Sequence, residues 1–140
     1  NVMAVIEELI KEDADGTLSF GNYLLDTKTK LSDFEYQGDI YKVKTFKEIT
    51  KLEKNGLFVY ESVLGTAVTG FSVTEDSVKM NVEGIEDTQI TLGLEPDTLY
   101  TVSIDGEDIG AIMTNLGGKL VISIELDPGQ VRSVEVVKAD

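Results

Sequence analysis

The chain lacks cysteine, histidine and tryptophan, and its 140 residues include a single arginine, Arg132. Without Cys there is no disulfide framework, no thiolate nucleophile and no Cys-bearing zinc or iron–sulfur site. Without His there is no Ser-His-Asp or Cys-His arrangement, and no imidazole acid–base with a pKa near neutrality. Positive charge is also scarce: 12 Lys plus Arg face 26 Asp plus Glu, a formal net charge of −14. No segment approaches the roughly 20 apolar residues of a membrane span. Phosphate backbones and anionic membrane surfaces are repelled by such a surface, so neither nucleic acid nor membrane is an expected partner.

Enough remains to build a core. Hydrophobic residues make up 41 % of the chain, and the length suits one domain or two small ones packed together. Residues 1–65 carry 8 Lys against 12 acids, a net of −4; residues 66–140 carry 3 Lys and 1 Arg against 14 acids, a net of −10. The start, Asn1 to Glu8, lacks the basic region and long apolar run of a secretory signal. Met3 reads as a natural first residue with Asn1-Val2 added ahead of it, so the expected location is cytoplasmic; a secreted mature form is the alternative.

The second half alternates as half-buried strands do. Val78, Met80 and Val82 share one face, as do Ile90, Leu92 and Leu94; Tyr100, Val102 and Ile104; Ile109, Ala111 and Met113; and Leu120, Ile122, Ile124 and Leu126. Val134 and Val136 mark a last strand, and Thr66 to Thr74 an earlier one. Asp105-Gly106, Asn115 to Gly118 and Asp127-Pro128-Gly129 supply turns between them. About seven strands at this spacing predict an immunoglobulin-like antiparallel β-sandwich over residues 66–140.

The first half reads as a β-rich region carrying at most one short helix. Val2, Ile6, Leu9 and Ile10 fit a helical stripe, but Asp15-Gly16 followed by Leu18 and Phe20 favours a hairpin. Gly38-Asp39 is a turn between Asp33–Tyr36 and Ile40–Lys44. Thr45 and Glu48 have capping-box spacing, Phe46, Ile49 and Leu52 line one side, and Asn55-Gly56 can close a helix over 46–55. The rival reading makes Asn55-Gly56 a hairpin turn between Lys47–Lys54 and Leu57–Val63. The chain divides most naturally near Leu64-Gly65.

No residue can be nominated as catalytic, cofactor-binding or metal-binding. Asp13 to Ser19 has half of a calcium-loop pattern, but aligning Gly16 to its sixth position puts Lys11 first and Asn22 twelfth. Turn acids at Asp105, Glu107 and Asp108, and at Glu83, Glu86 and Asp87, could hold calcium; solvated turns are the commoner outcome. A glycosidase needs two carboxylates, yet 26 acids prevent choosing a pair by spacing. Nine of the ten aromatic residues precede residue 72, which fits a filled core or a sugar-stacking face.

Leu94-Glu95-Pro96-Asp97-Thr98-Leu99-Tyr100-Thr101-Val102 resembles the L-x-P-x-T-x-Y-x-V run of fibronectin type III domains. That resemblance implies a tyrosine corner at Tyr100, its hydroxyl tying the strand to nearby backbone. Tyr100 to Gly106, with Gly117 to Leu120 and Ser123 to Leu126, also resembles accessory β-sandwich domains attached to polysaccharide enzymes. Over its length the chain is similar to a group of small acidic bacterial proteins labelled endosialidase, through Asp15–Tyr23, Tyr41–Glu48 and Glu86–Leu92. The label implies cleavage of polysialic acid. No catalytic residue maps onto this chain, however, and the Arg set that grips an acidic sugar is missing.

The expected function is therefore a non-catalytic binding or assembly module that self-associates as a homo-oligomer. The alternatives are a carbohydrate-binding module and a carboxylate-dependent glycosidase acting on sialic-acid polymers. No cofactor is expected, with calcium the one ion considered.

Overall fold

A computed structural model describes residues 5–140; Val2 and Met3, used in the reading above, lie outside them. The described chain is all β, with thirteen strands in two antiparallel sheets packed face to face. In chain order these are β1 (Ile10–Glu12), β2 (Leu18–Phe20), β3 (Thr29–Tyr36), β4 (Asp39–Phe46), β5 (Ile49–Lys54), β6 (Leu57–Val63), β7 (Ala67–Val73), β8 (Ser77–Glu83), β9 (Thr88–Gly93), β10 (Leu99–Ile104), β11 (Glu107–Met113), β12 (Lys119–Ile124) and β13 (Val131–Lys138). The first sheet runs β1-β2-β7-β8-β13-β10-β11 and the second β12-β9-β6-β5-β4-β3.

The alternation read in the second half is the alternation of burial in every strand but β11, where Ile109, Ala111 and Met113 are exposed. Val78, Met80, Val82, Ile90, Leu92, Tyr100, Val102, Leu120, Ile122, Val134 and Val136 all face the space between the sheets. The Asp15-Gly16 hairpin forms between β1 and β2, with Ile10 opposite Phe20. The helix over 46–55 does not form, and the rival hairpin takes its place. Leu52 stands opposite Val43 and Tyr60 in the core, while Thr45 and Thr50 pair across β4 and β5. Asn55 and Gly56 both take positive φ, 51° and 78°, as the two central residues of a type I′ turn must. The Asn55 side chain accepts from the Ile40 amide at 2.9 Å and donates to Asp39 Oδ1 at 2.9 Å, locking this turn to the next strand.

A bulge sets the face of β3. Asp33 takes φ 61°, and the register with β4 shifts between Leu31 and Phe34. The shift lets Leu31, Phe34 and Tyr36 all pack on the core while Lys30 and Ser32 point out. The point between β6 and β7, where the chain seemed to divide, is crossed by two ladders. β2 pairs with β7, and β6 pairs with β9. One core cluster draws side chains from both sides of it, with Phe20 edge-on to both Tyr60 and Phe71 at 5.2 and 5.5 Å.

Candidate functional site

The aromatic residues concentrated before residue 72 are core. Phe20, Tyr23, Tyr36, Tyr41, Tyr60, Phe71 and Tyr100 are buried; Phe34, Phe46 and Phe58 are half-buried. Lysines cover two of the last three: Lys28 Nζ lies 5.8 Å from the Phe46 ring centroid and Lys119 Nζ 4.7 Å from that of Phe58. No open row of rings is left for stacking a sugar.

One end of the sandwich holds a buried chain of hydroxyls. Thr50 Oγ1 donates to the Thr66 carbonyl at 2.8 Å, so the Thr45 hydroxyl must donate to Thr50, 2.8 Å away. Thr45 in turn accepts from the Asn22 amide at 2.9 Å, and Thr50 from the Thr66 amide at 3.1 Å. The Thr66 hydroxyl meets Tyr60 and Ser62 at 2.7 and 2.8 Å. Burial pushes the Tyr60 hydroxyl up to about 12. Every member has partners, as a network that fixes one core arrangement requires.

Beside it lies a cleft of about 250 Å³ lined by Tyr23, Lys47, Glu48, Leu64, Gly65, Ile85 and Glu86, smaller than the roughly 300 Å³ at which small-molecule sites begin. At its edge the Tyr23 hydroxyl donates to Glu83 Oε2 at 3.1 Å. Burial, followed by the Glu83 charge, raises the Tyr23 hydroxyl far above its ordinary range.

Of the turn acids considered for calcium, Asp15, Asp87, Asp105 and Asp108 accept from backbone amides and Asp13 from side-chain hydroxyls. Asp13 Oδ2 accepts from the Ser19 and Thr17 hydroxyls, and Asp15 Oδ1 from the Thr17 amide and hydroxyl, bonds that hold the Asp15 carboxyl below its ordinary value. Asp105 Oδ1 accepts from the Ser133 amide while its Oδ2 lies 2.8 Å from Arg132 Nε. Asp87 Oδ1 accepts from the Leu126 amide at 3.0 Å. Among the described residues, no group of three or more Asp or Glu side chains is placed to share a metal ion. The one arginine is committed to Asp105 and to the Glu125 carbonyl, 3.1 Å from Nη1.

Two surfaces are built differently from the rest, and the sequence signalled neither. The first is β11, the end of its sheet. It pairs only with β10, and six of its seven residues are exposed. Ile109 and Met113 are 45 % and 54 % exposed, and Leu99, opposite Met113, 39 %. Thr114 donates its amide to the Thr98 carbonyl at 2.9 Å. Counting in twos along an antiparallel ladder, Ile112 and Gly110 also bond toward β10, while Met113 and Ala111 turn their N–H and C=O groups to the open side. The second is the outer face of β3, β4 and β5, where lysines stand opposite lysines.

The Tyr100 hydroxyl accepts from the Glu95 amide at 3.2 Å, tying the start of β10 to the backbone five residues upstream. No helix among the described residues is long and apolar enough to cross a membrane. Compared with protein-family models, with curated proteins and with solved structures, the chain matches none. The fold alone defines its class, a two-sheet antiparallel β-sandwich.

Proposed function

We propose that this protein is a non-catalytic assembly module that self-associates through β11. The observation that carries the reading is the bare edge: a seven-residue strand, exposed on both faces, with an unpaired row of backbone groups and apolar side chains beside it. Soluble proteins ordinarily blunt such edges with lysine, proline, bulges or short length. Two of the other three sheet ends are blunted in this way, and the third, β12, buries every second residue and starts on Lys119. β1 has three residues, and β3 carries Lys30, Glu35 and the Asp33 bulge. In β11 the only charges are Glu107 and Asp108, at one end, and the bulge against β10 falls at Ile109, next to them.

A second copy fits this edge in one register. Antiparallel β11–β11 pairing about a two-fold axis at Ala111 sets its outward-facing groups against their own counterparts. Ile109 then stands opposite Met113 of the second copy, and Glu107 opposite Asn115, so no like charges meet. The two seven-stranded sheets become one continuous sheet. The Tyr100–Glu95 tie supports the further reading of residues 66–140 as immunoglobulin-like.

Light scattering over a concentration series tests this. The expected result is a rise toward twice the 15.3 kDa chain mass. Met113→Lys, which places a charge at the pairing face without touching the core, is expected to hold the chain at monomer mass. An unchanged mass across the series, or a dimer indifferent to Met113→Lys and Ala111→Pro, would sink the proposal.

A further inference from the structure

Seven of the eleven lysines lie between residues 28 and 54, and strand register gathers five of them. Lys30 stands opposite Lys44, and Lys44 opposite Lys51, a row across three adjacent strands. At a strand spacing of roughly 4.8 Å the row is about 10 Å wide. Lys42 lies two residues from Lys44 on the same face, opposite Glu53, and Lys28 sits over the nearby Phe46 ring. The acids on this face are Glu53, whose carboxylate is 3.8 Å from Lys51 Nζ, Glu61, opposite Lys51 on β6, and, along β3, Asp33 at the bulge across from Lys42 and Glu35 opposite Ile40. Lys28, Lys30, Lys42 and Lys44 have no ion-pair partner among the described residues. Five lysines against these four acids leave +1 on this face, so the rest of the chain carries −15 of the net −14.

Directly opposed like charges destabilise a sheet, and a chain with two acids for every base has ample means to avoid them. Partial burial and then Lys28, Lys51, Lys30 and Lys42 lower the Lys44 pKa, the response of an ammonium among uncompensated neighbours.

The complementary surface is on the same molecule. The loops after β8 and after β12 are joined by the Leu126 amide bonding to Asp87, and Glu86, Asp87, Glu125 and Asp127 project there, all exposed. None of the four has an ion-pair partner among the described residues. A knob of this kind is compact enough for a patch about 10 Å wide. An extended polyanion would overrun the patch onto Asp33 and Glu35 on one side and Asp39 and Glu48 at its ends.

We infer that the lysine face of β3, β4 and β5 docks on the acidic 84–87 and 125–127 loops of a second copy of this chain. The choice of a second copy rests on the self-association proposed above, but the contact uses surfaces separate from β11. Because patch and knob differ, the contact is heterologous and repeats from copy to copy, so β11 dimers linked by it grow into larger assemblies.

Salt separates the two contacts. About 0.1 M salt gives a Debye length of about 10 Å, which screens repulsion between whole acidic molecules while sparing charges in contact; about 1 M salt, at about 3 Å, weakens the contact itself. Sedimentation of the wild-type chain is expected to show species above the dimer at about 0.1 M salt and dimer alone at about 1 M. Lys30→Gln/Lys44→Gln/Lys51→Gln is expected to abolish the larger species and keep the dimer. A control with the same charge change, Lys11→Gln/Lys47→Gln/Lys79→Gln, should leave both. Met113→Lys does the reverse, removing the high-salt dimer while salt-sensitive association persists, so the two proposals fail separately. Charge reversal gives the strictest arm: Lys30→Glu/Lys44→Glu/Lys51→Glu and Glu86→Lys/Glu125→Lys/Asp127→Lys should each lose the larger species alone and regain them when mixed. Absence of salt-sensitive growth, no rescue on mixing, or binding of soluble polyglutamate to the lysine face without self-association would each overturn the inference.

Discussion

Thr50→Val is the sharpest single-residue probe of how this sandwich is held together. Valine keeps the shape of threonine and deletes one hydroxyl from a fully buried position. That hydroxyl has three partners: the Thr66 carbonyl and amide, and the Thr45 hydroxyl. The Thr45 hydroxyl keeps the Asn22 amide as a donor but loses the acceptor of its own proton, and the Thr66 amide loses its acceptor altogether. Losing a net-favourable bond costs about 1 kcal/mol, and stranding a buried donor a further 1–3 kcal/mol. The expected loss is therefore about 2–4 kcal/mol, a large share of the roughly 5–15 kcal/mol of a typical domain. Urea unfolding should show a lower midpoint with an unchanged slope, and Tm should fall by roughly 10 °C. Thr101→Val removes a half-buried hydroxyl with one long bond, 3.2 Å to the Val137 carbonyl, and is expected to cost less than about 1 kcal/mol. Equal losses for the two variants, or less than about 0.5 kcal/mol for Thr50→Val, would refute the role given to the hydroxyl chain.

Other consequences follow from the core. Burial raises Tyr60 to about 12 from an ordinary 10, and raises Tyr23, Tyr36 and Tyr41 as well. The unfolded chain releases these protons first; for Tyr60 the stability contributed is complete below about pH 10 and is lost as pH rises toward 12, at about 1.4 kcal/mol per pH unit. Tyrosinate absorbance should then appear together with unfolding; a smooth titration near pH 10 in a folded chain would contradict it. Gly93→Ala would drive a Cβ into the Phe58 carbonyl on the neighbouring strand, and is expected to cost about 1–3 kcal/mol in urea unfolding. A Gly93→Ala chain as stable as the wild type would show that the β6–β9 approach is looser than described.

The sequence made the second-half strands legible because each alternates strictly, and outside β11 the alternating set is the buried one. The 46–55 segment misleads for a specific reason. Phe46, Ile49 and Leu52 satisfy a helical stripe, and the same residues satisfy a hairpin in which Phe46 faces Ile49 across a tight turn. Thr45 and Thr50 decide the matter, since their hydroxyls bond to Asn22 and Thr66, residues distant in sequence. The β11 edge and the lysine face were hidden because both depend on strand placement and register. Ile109, Ala111 and Met113 alternate just as Leu120, Ile122 and Ile124 do, and both sets lie on end strands; β12 turns its set to the core, whereas β11 turns Ile112 toward it and leaves the other three in water. Lys30, Lys44 and Lys51 become neighbours only through the β3–β4 and β4–β5 registers, the first of which depends on the Asp33 bulge. The overall acidity, read from composition, conceals a face of opposite sign.

The central claim is that β11 is an assembly edge, and the solution mass at high salt tests it most directly. At about 1 M salt, where charge contacts are screened, the wild-type chain should approach twice 15.3 kDa with increasing concentration, and Met113→Lys should stay at 15.3 kDa. A wild-type chain that remains monomeric throughout, or a dimer that survives both Met113→Lys and Ala111→Pro, would contradict it.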